Sequence, residues 1–302
     1  MPNETAGRAI KSTELVTGEV KRKFDLMGFH VFRQLLSPSE ITELDAAFMR
    51  VMNPAASEAG YDGTRSLHIY PVTEGDAWFD KLIDDPRIND IAEGLIGEDC
   101  NYHSSGGHFY TGNSRWHSDG GNPFPSIHMA FYLDPVTAET GCLNVIPGSH
   151  HLAFHDRLDK ARTDGLYDFA SPDVPGKYPL ESQPGDVCVF RHSIFHSSFG
   201  GWVGRRMLSV HYFNPTADWH NSSVVGSTEG RLHYMKAGHR VYSDYLVQTA
   251  GPRRMKRLRR YIEKGYCDES REPLTNLFYQ FTGPSGYGEL EFGPLSRVTA
   301  RS

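Results

Sequence analysis

The sequence predicts a mainly β fold with flanking helices, a sandwich or jelly roll of short strands. Three observations carry this. Gly and Pro supply 30 and 18 of the 302 residues, an excess over average usage that calls for many turns. Between about 101 and 213 short β-prone runs alternate with Gly/Pro turn signals, the spacing expected of a sandwich or jelly roll. On either side of that stretch the apolar pattern switches to a helical period. With hydrophobic residues at 38% and aromatics at 12%, the chain can bury a real core, which argues against disorder.

The elements follow in order. Residues 37–54 read as a helix: Ser37 and Glu40 form a capping box, Pro38 takes the first helical position, and Ile41, Leu44, Phe48 and Val51 keep the apolar period. Asp85-Pro86 opens another, with Ile88, Ile91 and Leu95 inward and Gly97 as the stop. Strands are expected at Gly107–Thr111, Ile127–Leu133, Leu143–Ile146, Val187–Phe190 and Met207–Phe213, separated by GGNPFP, PGSH, QPGD and GGWVG. The stretch 151–183 is long, polar and weakly periodic, which suggests a lid or binding loop with some helix in it. Residues 251–264 hold seven Lys/Arg, with Met255, Leu258 and Ile262 at helical spacing. An amphipathic helix with a solvated basic face explains them, and recruitment of an anionic ligand is the sharper alternative. The organisation expected is one domain over 1–302: a helical N-terminal part at about 10–100, a barrel core at about 101–215 and an extension at about 216–302.

Composition excludes several classes. Lys+Arg number 31 and Asp+Glu 37, a formal charge of −6, which leaves no footprint for nucleic acid or an anionic membrane. No run approaches the roughly 18 apolar residues of a membrane span, and the first residues lack an apolar signal region. Cys100, Cys142, Cys188 and Cys267 are far apart with no CxxC pair. That speaks against a disulfide framework or a zinc ribbon and for a reducing cytoplasm.

The 15 histidines are the unusual count, and many fall between His103 and His220. The central signal is Arg115-Trp116-His117-Ser118-Asp119-Gly120. In an extended segment residues two apart project to one side, so His117 and Asp119 can offer an imidazole and a carboxylate to one ion. Alone, an H-x-D is weak evidence and is better read as a surface turn. Downstream stand Pro184-Gly185-Asp186, then His196 ten residues after Asp186, then Arg205 nine residues later. Two histidines and one carboxylate make the facial triad of non-haem Fe(II) oxygenases, which leaves coordination sites open.

His117-Ser118-Asp119, Gly141-Cys142-Leu143-Asn144-Val145-Ile146-Pro147-Gly148-Ser149-His150, Pro184-Gly185-Asp186, His196 and Arg205 stand in the order of the phytanoyl-CoA dioxygenase family. The chain resembles that family of Fe(II)/2-oxoglutarate-dependent oxygenases from about 24 to 215. The opening GFHVFRQLLSPSEI resembles it too, whereas 216–302 match nothing that can be placed. The resemblance implies a double-stranded β-helix, a cupin-like jelly-roll barrel with helices outside. It implies His117, Asp119 and His196 as iron ligands, and Arg205 as partner of the far carboxylate of 2-oxoglutarate, a match of guanidinium fork to carboxylate. Ser198 corresponds to a residue that hydrogen-bonds the cosubstrate.

Some assignments stay open at this stage. His192 competes with His196 as distal ligand, and the ten-residue spacing from Asp186 favours His196; Arg206 competes with Arg205, and register against Met207–Tyr212 favours Arg205, although its nine-residue spacing from His196 is shorter than the eleven common in the family. Ala130 replaces a tryptophan that packs on the cosubstrate in some relatives. His108 and Tyr110 share strand parity and are expected to touch substrate or cosubstrate, as is His211; core packing is the alternative for each. His150-His151 read as the end of a structural turn, and Gly120-Gly121-Asn122 as a loop or a close approach to the metal. The function expected is oxidation of an unactivated C–H bond of a small metabolite or natural-product intermediate, with 2-oxoglutarate and O2 converted to succinate and CO2. Hydroxylation is the default outcome. Desaturation, cyclisation or C–C cleavage start from the same site, and a non-oxidative cupin-like metal isomerase is the rival reading. The partners implied are the small-molecule substrate, 2-oxoglutarate and O2.

Overall fold

A computed structural model of the protein describes residues 15–119, 125–214, 238–283 and 286–299. The N-terminal part begins with α1 (Gly18–Met27) and β1 (Phe29–Phe32). Helix α2 (Pro38–Ala59) carries the predicted capping box, with Glu40 N–H on Ser37 Oγ and Ser37 N–H on the Glu40 carboxylate. It runs five residues past its expected end, through Pro54, because Leu44, Phe48, Val51, Met52 and Ala55 keep burying one face. After β2 (Ser66–Tyr70) come α3 (Phe79–Asp84) and α4 (Pro86–Ile96). Gly97 ends α4 with a φ of 99°, which costs a glycine nothing.

The central strands are β3 (Asn101–Tyr110), β4 (Ser114–His117), β5 (Ser126–Tyr132), β6 (Leu143–Val145), β7 (Tyr178–Leu180), β8 (Val187–Arg191), β9 (His196–Ser198) and β10 (Arg205–Phe213). Strand β3 starts six residues before the expected position; its early residues are polar yet buried, so their hydropathy hid them. The stretch read as a lid holds α5 (Leu152–Thr163) and β7, so it is more regular than expected. Then α6 (Asp244–Gln248), α7 (Pro252–Glu263), β11 (Asn276–Gly283) and β12 (Gly286–Thr299) complete the chain.

Two antiparallel sheets face each other. The major one runs β1-β8-β5-β10-β3-β2-β11-β12 and the minor one β4-β9-β6-β7. The arrangement is jelly-roll-like and cupin-like, and the two sheets do not close into one barrel. Alternation along each strand sorts the side chains. On β5, Ile127, Met129 and Phe131 join the large core under the helices, whereas Ala130 and Tyr132 pack inward with Leu143, Val145 and Leu180 of the minor sheet. On β10, Leu208, Val210 and Tyr212 face the helices, and Met207 faces inward. Arg205, Ser209 and His211 share the inward parity.

Helix α7 is the predicted basic helix, but its basic face is not simply solvated. Leu258 is buried as expected, while Met255 is exposed and Arg254 and Arg257 are buried. Arg254 pairs with Asp84 of α3 and Arg257 with Glu93 of α4. The arginines fasten the C-terminal region to the N-terminal helices. Among the described residues no helix is long and apolar enough to cross a membrane.

Candidate metal centre and cosubstrate pocket

His117 on β4 and His196 on β9 sit directly opposite each other across an antiparallel pair. Their ring centroids are 4.2 Å apart. Each ring is fixed by its Nδ1: that of His117 donates to the Arg115 carbonyl at 2.7 Å, and that of His196 to the Ile194 carbonyl at 3.0 Å. A carbonyl only accepts, so both protons are on Nδ1 and both Nε2 atoms carry lone pairs. Those Nε2 atoms lie 3.6 Å from opposite oxygens of Asp119, Oδ1 for His117 and Oδ2 for His196. Asp119 N–H donates to the His192 carbonyl at 3.1 Å, which pins the residues after β4 to the turn before β9. Burial pushes the Asp119 carboxyl up, but the His196 and His117 imidazoles outweigh it and hold it below the ordinary value.

The donor atoms of His117, Asp119 and His196 all lie within 4.8 Å of one another. Two preset imidazole lone pairs and a carboxylate, each oriented by backbone, fit an octahedral iron with a free face. His192 is not in this set. It forms a second cluster with His128 and His211, two residues sequence reading had not joined to it. Cross-strand pairing stacks His128 on His211 with centroids 3.8 Å apart and planes 22° apart. His128 Nε2 lies 3.5 Å from Asp119 Oδ2.

Arg205 is the second feature of the site. It is 1% exposed and reaches across the gap between the sheets. Its Nη2 donates to Ser198 Oγ at 2.8 Å, and the Ser198 hydroxyl donates to the Gly141 carbonyl at 2.9 Å. Its Nε and Nη1 have no hydrogen-bond partner, and among the described residues no carboxylate lies within ion-pair distance. A buried guanidinium with two unused donors is costly unless an anion joins it. Room for it comes from two glycines: a Cβ on Gly201 would stand 1.5 Å from Nη1, and one on Gly141 2.1 Å. Tyr110, opposite Arg205 across β3 and β10, places its ring 5.4 Å from the guanidinium carbon. Arg206, with the opposite parity, instead binds Asp134 and Asp45.

One cavity holds both features. His117, Asp119, His196, Ser198, Arg205, His108, Tyr110 and His211 all line it, along with Ala130. His68, His128, Gln280 and Thr282 line it too and had gone unnoticed. Period-2 alternation on β5 contained the signal for His128; nothing local announced the other three. His150 and His151 lie outside the cavity. Their Nε2 atoms meet the carbonyls of Asp25 and Leu26, as expected of a structural turn. Gly120-Gly121-Asn122 fall outside the described residues.

A profile of the phytanoyl-CoA dioxygenase (PhyH) family matches residues 24–201. Among curated proteins, ectoine dioxygenase of Nocardia farcinica is 27% identical over 160 residues, 45% of this chain and 53% of that protein. Phytanoyl-CoA dioxygenase 1 of Oryza sativa subsp. japonica is 36% identical over 83 residues, 26% of this chain and 30% of that protein. The matches thus span about half or less of those relatives. Among solved structures, EctD from S. alaskensis with bound Fe is 24% identical, with a TM-score of 0.51 over 66% of this chain and 76% of that one. HygX from Streptomyces hygroscopicus, with nickel and 2-oxoglutarate bound, is 18% identical, with a TM-score of 0.56 over 67% and 88%. The carbocyclase SnoK from nogalamycin biosynthesis is 20% identical, with a TM-score of 0.54 over 72% and 94%. At these identities the structures speak to the fold.

Proposed function

The chain belongs to the phytanoyl-CoA dioxygenase family of Fe(II)/2-oxoglutarate-dependent oxygenases, and from that premise we propose that its cavity oxidises a C–H bond of a small metabolite or natural-product intermediate. His117, Asp119 and His196 would hold the iron, the two histidines through the Nε2 atoms left free by their Nδ1 hydrogen bonds and Asp119 through its carboxylate. Arg205, held by Ser198, would pair its guanidinium with the far carboxylate of 2-oxoglutarate. When bound, iron and 2-oxoglutarate supply the oxidising power drawn from O2, with release of succinate and CO2.

The chain's own part is positional. The Nδ1 hydrogen bonds keep both ligand rings in the metal-binding tautomer. Ala130, Leu143, Phe190 and Met207 line the cavity and limit water near the reacting carbon. Ser198 has both its contacts occupied by Arg205 and Gly141, so it serves the cosubstrate by aiming the guanidinium. Ala130 leaves open the space that a tryptophan fills in some relatives. Hydroxylation is the expected outcome. Desaturation, cyclisation or C–C cleavage would use the same residues. The four free cysteines suit a reducing compartment, and a cytoplasmic location belongs to this reading, as does one oxygenase domain spanning the chain.

The observation that carries the reading is the buried Arg205 with two unused donors, in the same cavity as the triad. A buried guanidinium beside the triad matches the dicarboxylate cosubstrate of an oxygenase, and so counts against a non-oxidative metal isomerase. The test is succinate formation from 2-oxoglutarate by purified protein with and without Fe(II). Iron-dependent succinate is expected, together with a visible charge-transfer band when 2-oxoglutarate joins the anaerobic iron protein. Absence of both would sink the reading.

A further inference from the structure

Arg205 stands at one end of the cavity, flanked by two tyrosines. On β5 and β10 the inward residues pair in order: His128 with His211, Ala130 with Ser209, Tyr132 with Met207. His128 lies beside Asp119, so this order runs from the metal centre towards Arg205, two residues before Met207 on the same face. Tyr132 is thereby the diagonal neighbour of Arg205, a spacing that aromatic and long side chains can span. It is buried and lines the cavity together with Arg205 and Ser198.

Tyr110 stands on the other side, directly opposite Arg205 on β3, with its ring over the guanidinium. That ring is backed by His108, stacked on it with centroids 5.2 Å apart and planes 22° apart. His108 is itself fixed by a hydrogen-bonded chain across four neighbouring strands. Its Nδ1 lies 2.7 Å from His68 Nδ1 on β2 and its Nε2 2.8 Å from Ser209 Oγ on β10, while His68 Nε2 lies 2.9 Å from Thr282 Oγ1 on β11. Tyr110 thus covers the face of the guanidinium. Burial pushes both phenols up against the pull of Arg205, so each keeps its proton at neutral pH and can donate it in a hydrogen bond.

A carboxylate offers roughly four lone-pair sites, and a guanidinium fork meets only two of them. In a buried pocket the remaining sites need donors too, because an incompletely matched charge is costly there. A neutral phenol next to the fork supplies one without adding charge. We propose that Tyr132 is a second anchor for the far carboxylate of 2-oxoglutarate, its phenol donating to the carboxylate that Arg205 pairs with, while the Tyr110 ring holds the guanidinium in place. This rests on the iron/2-oxoglutarate reading, which puts that carboxylate at Arg205. The cavity then recognises the far end of the cosubstrate through side chains from two neighbouring strands.

The test reads binding rather than turnover. Titration of the anaerobic Fe(II) protein, followed by the charge-transfer band, gives the 2-oxoglutarate constant of wild type and of Tyr132→Phe, which keeps the ring and loses the hydroxyl. A rise of about tenfold is expected, the loss of one hydrogen bond to a charged group, with bound iron and the thermal midpoint unchanged. 2-Oxovalerate has the same carbon chain with a methyl in place of the far carboxylate. Its constant, read in the same way at millimolar concentrations, should differ by less than about twofold between the two proteins, since no hydrogen bond to it is lost. An unchanged 2-oxoglutarate constant in Tyr132→Phe overturns the proposal. So does an equal rise for 2-oxovalerate, which would mark a packing defect. Absence of the band in wild type would instead bring down the 2-oxoglutarate reading beneath it.

Discussion

Arg205 Nη2 donates to Ser198 Oγ at 2.8 Å, a hydrogen bond that joins the major sheet to the minor one at the floor of the cavity. The contact leaves Nε and Nη1 facing no protein acceptor. Arg205→Ala should therefore raise the apparent 2-oxoglutarate constant roughly 10- to 150-fold, the loss of a charged hydrogen-bonded contact of about 1.5–3 kcal/mol. Arg205→Lys keeps the charge without the fork and should fall between. Arg206→Ala should stay near wild type, because Arg206 turns outward to Asp134 and Asp45. Gly201→Ala should mimic Arg205→Ala at roughly ten-fold, since its Cβ would stand 1.5 Å from Nη1. Titration of 2-oxoglutarate by the charge-transfer band checks all four, and a loss in Arg206→Ala alone would mean the wrong arginine.

Metal binding divides the histidines. His117→Ala, Asp119→Ala and His196→Ala should each abolish iron-dependent succinate formation and lower bound iron to background by atomic absorption. His192→Ala should keep iron, because its role toward Asp119 runs through its backbone carbonyl, which alanine retains. Iron lost from His192→Ala and kept in His196→Ala would reverse the assignment.

Acid should destabilise the fold through the His68–His108 pair. Burial lowers His68 from 6.5 to about 4, so between those values the unfolded chain holds the proton and the folded chain does not. Stability therefore rises with pH across that window and is fully present above 6.5. The 2.5-unit difference corresponds to about 3 kcal/mol. Urea midpoints from pH 4 to 7 should show this limb, and it should flatten in His68→Asn. A limb of unchanged slope in that variant would assign the acid sensitivity elsewhere.

Helix α7 offers a stability test. Arg257 is buried, pairs with Glu93 and donates to the carbonyls of Glu98 and Cys100. Arg257→Ala should cost about 1–3 kcal/mol, because the carbonyls of Glu98 and Cys100 lose their donor, while Glu93 keeps its pairing with Arg253. Arg259→Ala, at an exposed pair with Asp99, should stay within about 0.5 kcal/mol. Denaturant melts decide; equal effects would mean the arginines are a solvated face after all.

The elements that rest on local physics were legible in the sequence. The capping box at Ser37 and Glu40, the helix at Pro86, the parity that puts Arg205 inward and Arg206 outward, and the shared side of His117 and Asp119 all depend on residues within a few positions of each other. A period of 2 or 3.6 is a local property, so it survives in the string of letters. The spacing of His196 and Arg205 from Asp186 added the rest of the triad and pocket only through resemblance to a family. What the sequence could not decide was pairing between distant strands. His68, His108 and Thr282 are brought into one hydrogen-bonded chain only because β2 lies between β3 and β11 in the sheet. His128 meets His211 only because β5 pairs with β10 in that register, and Arg254 and Arg257 become buried only because α7 packs against α3 and α4. Each of these depends on strand order and helix docking, which burial across the whole chain selects, and no window of the sequence contains it.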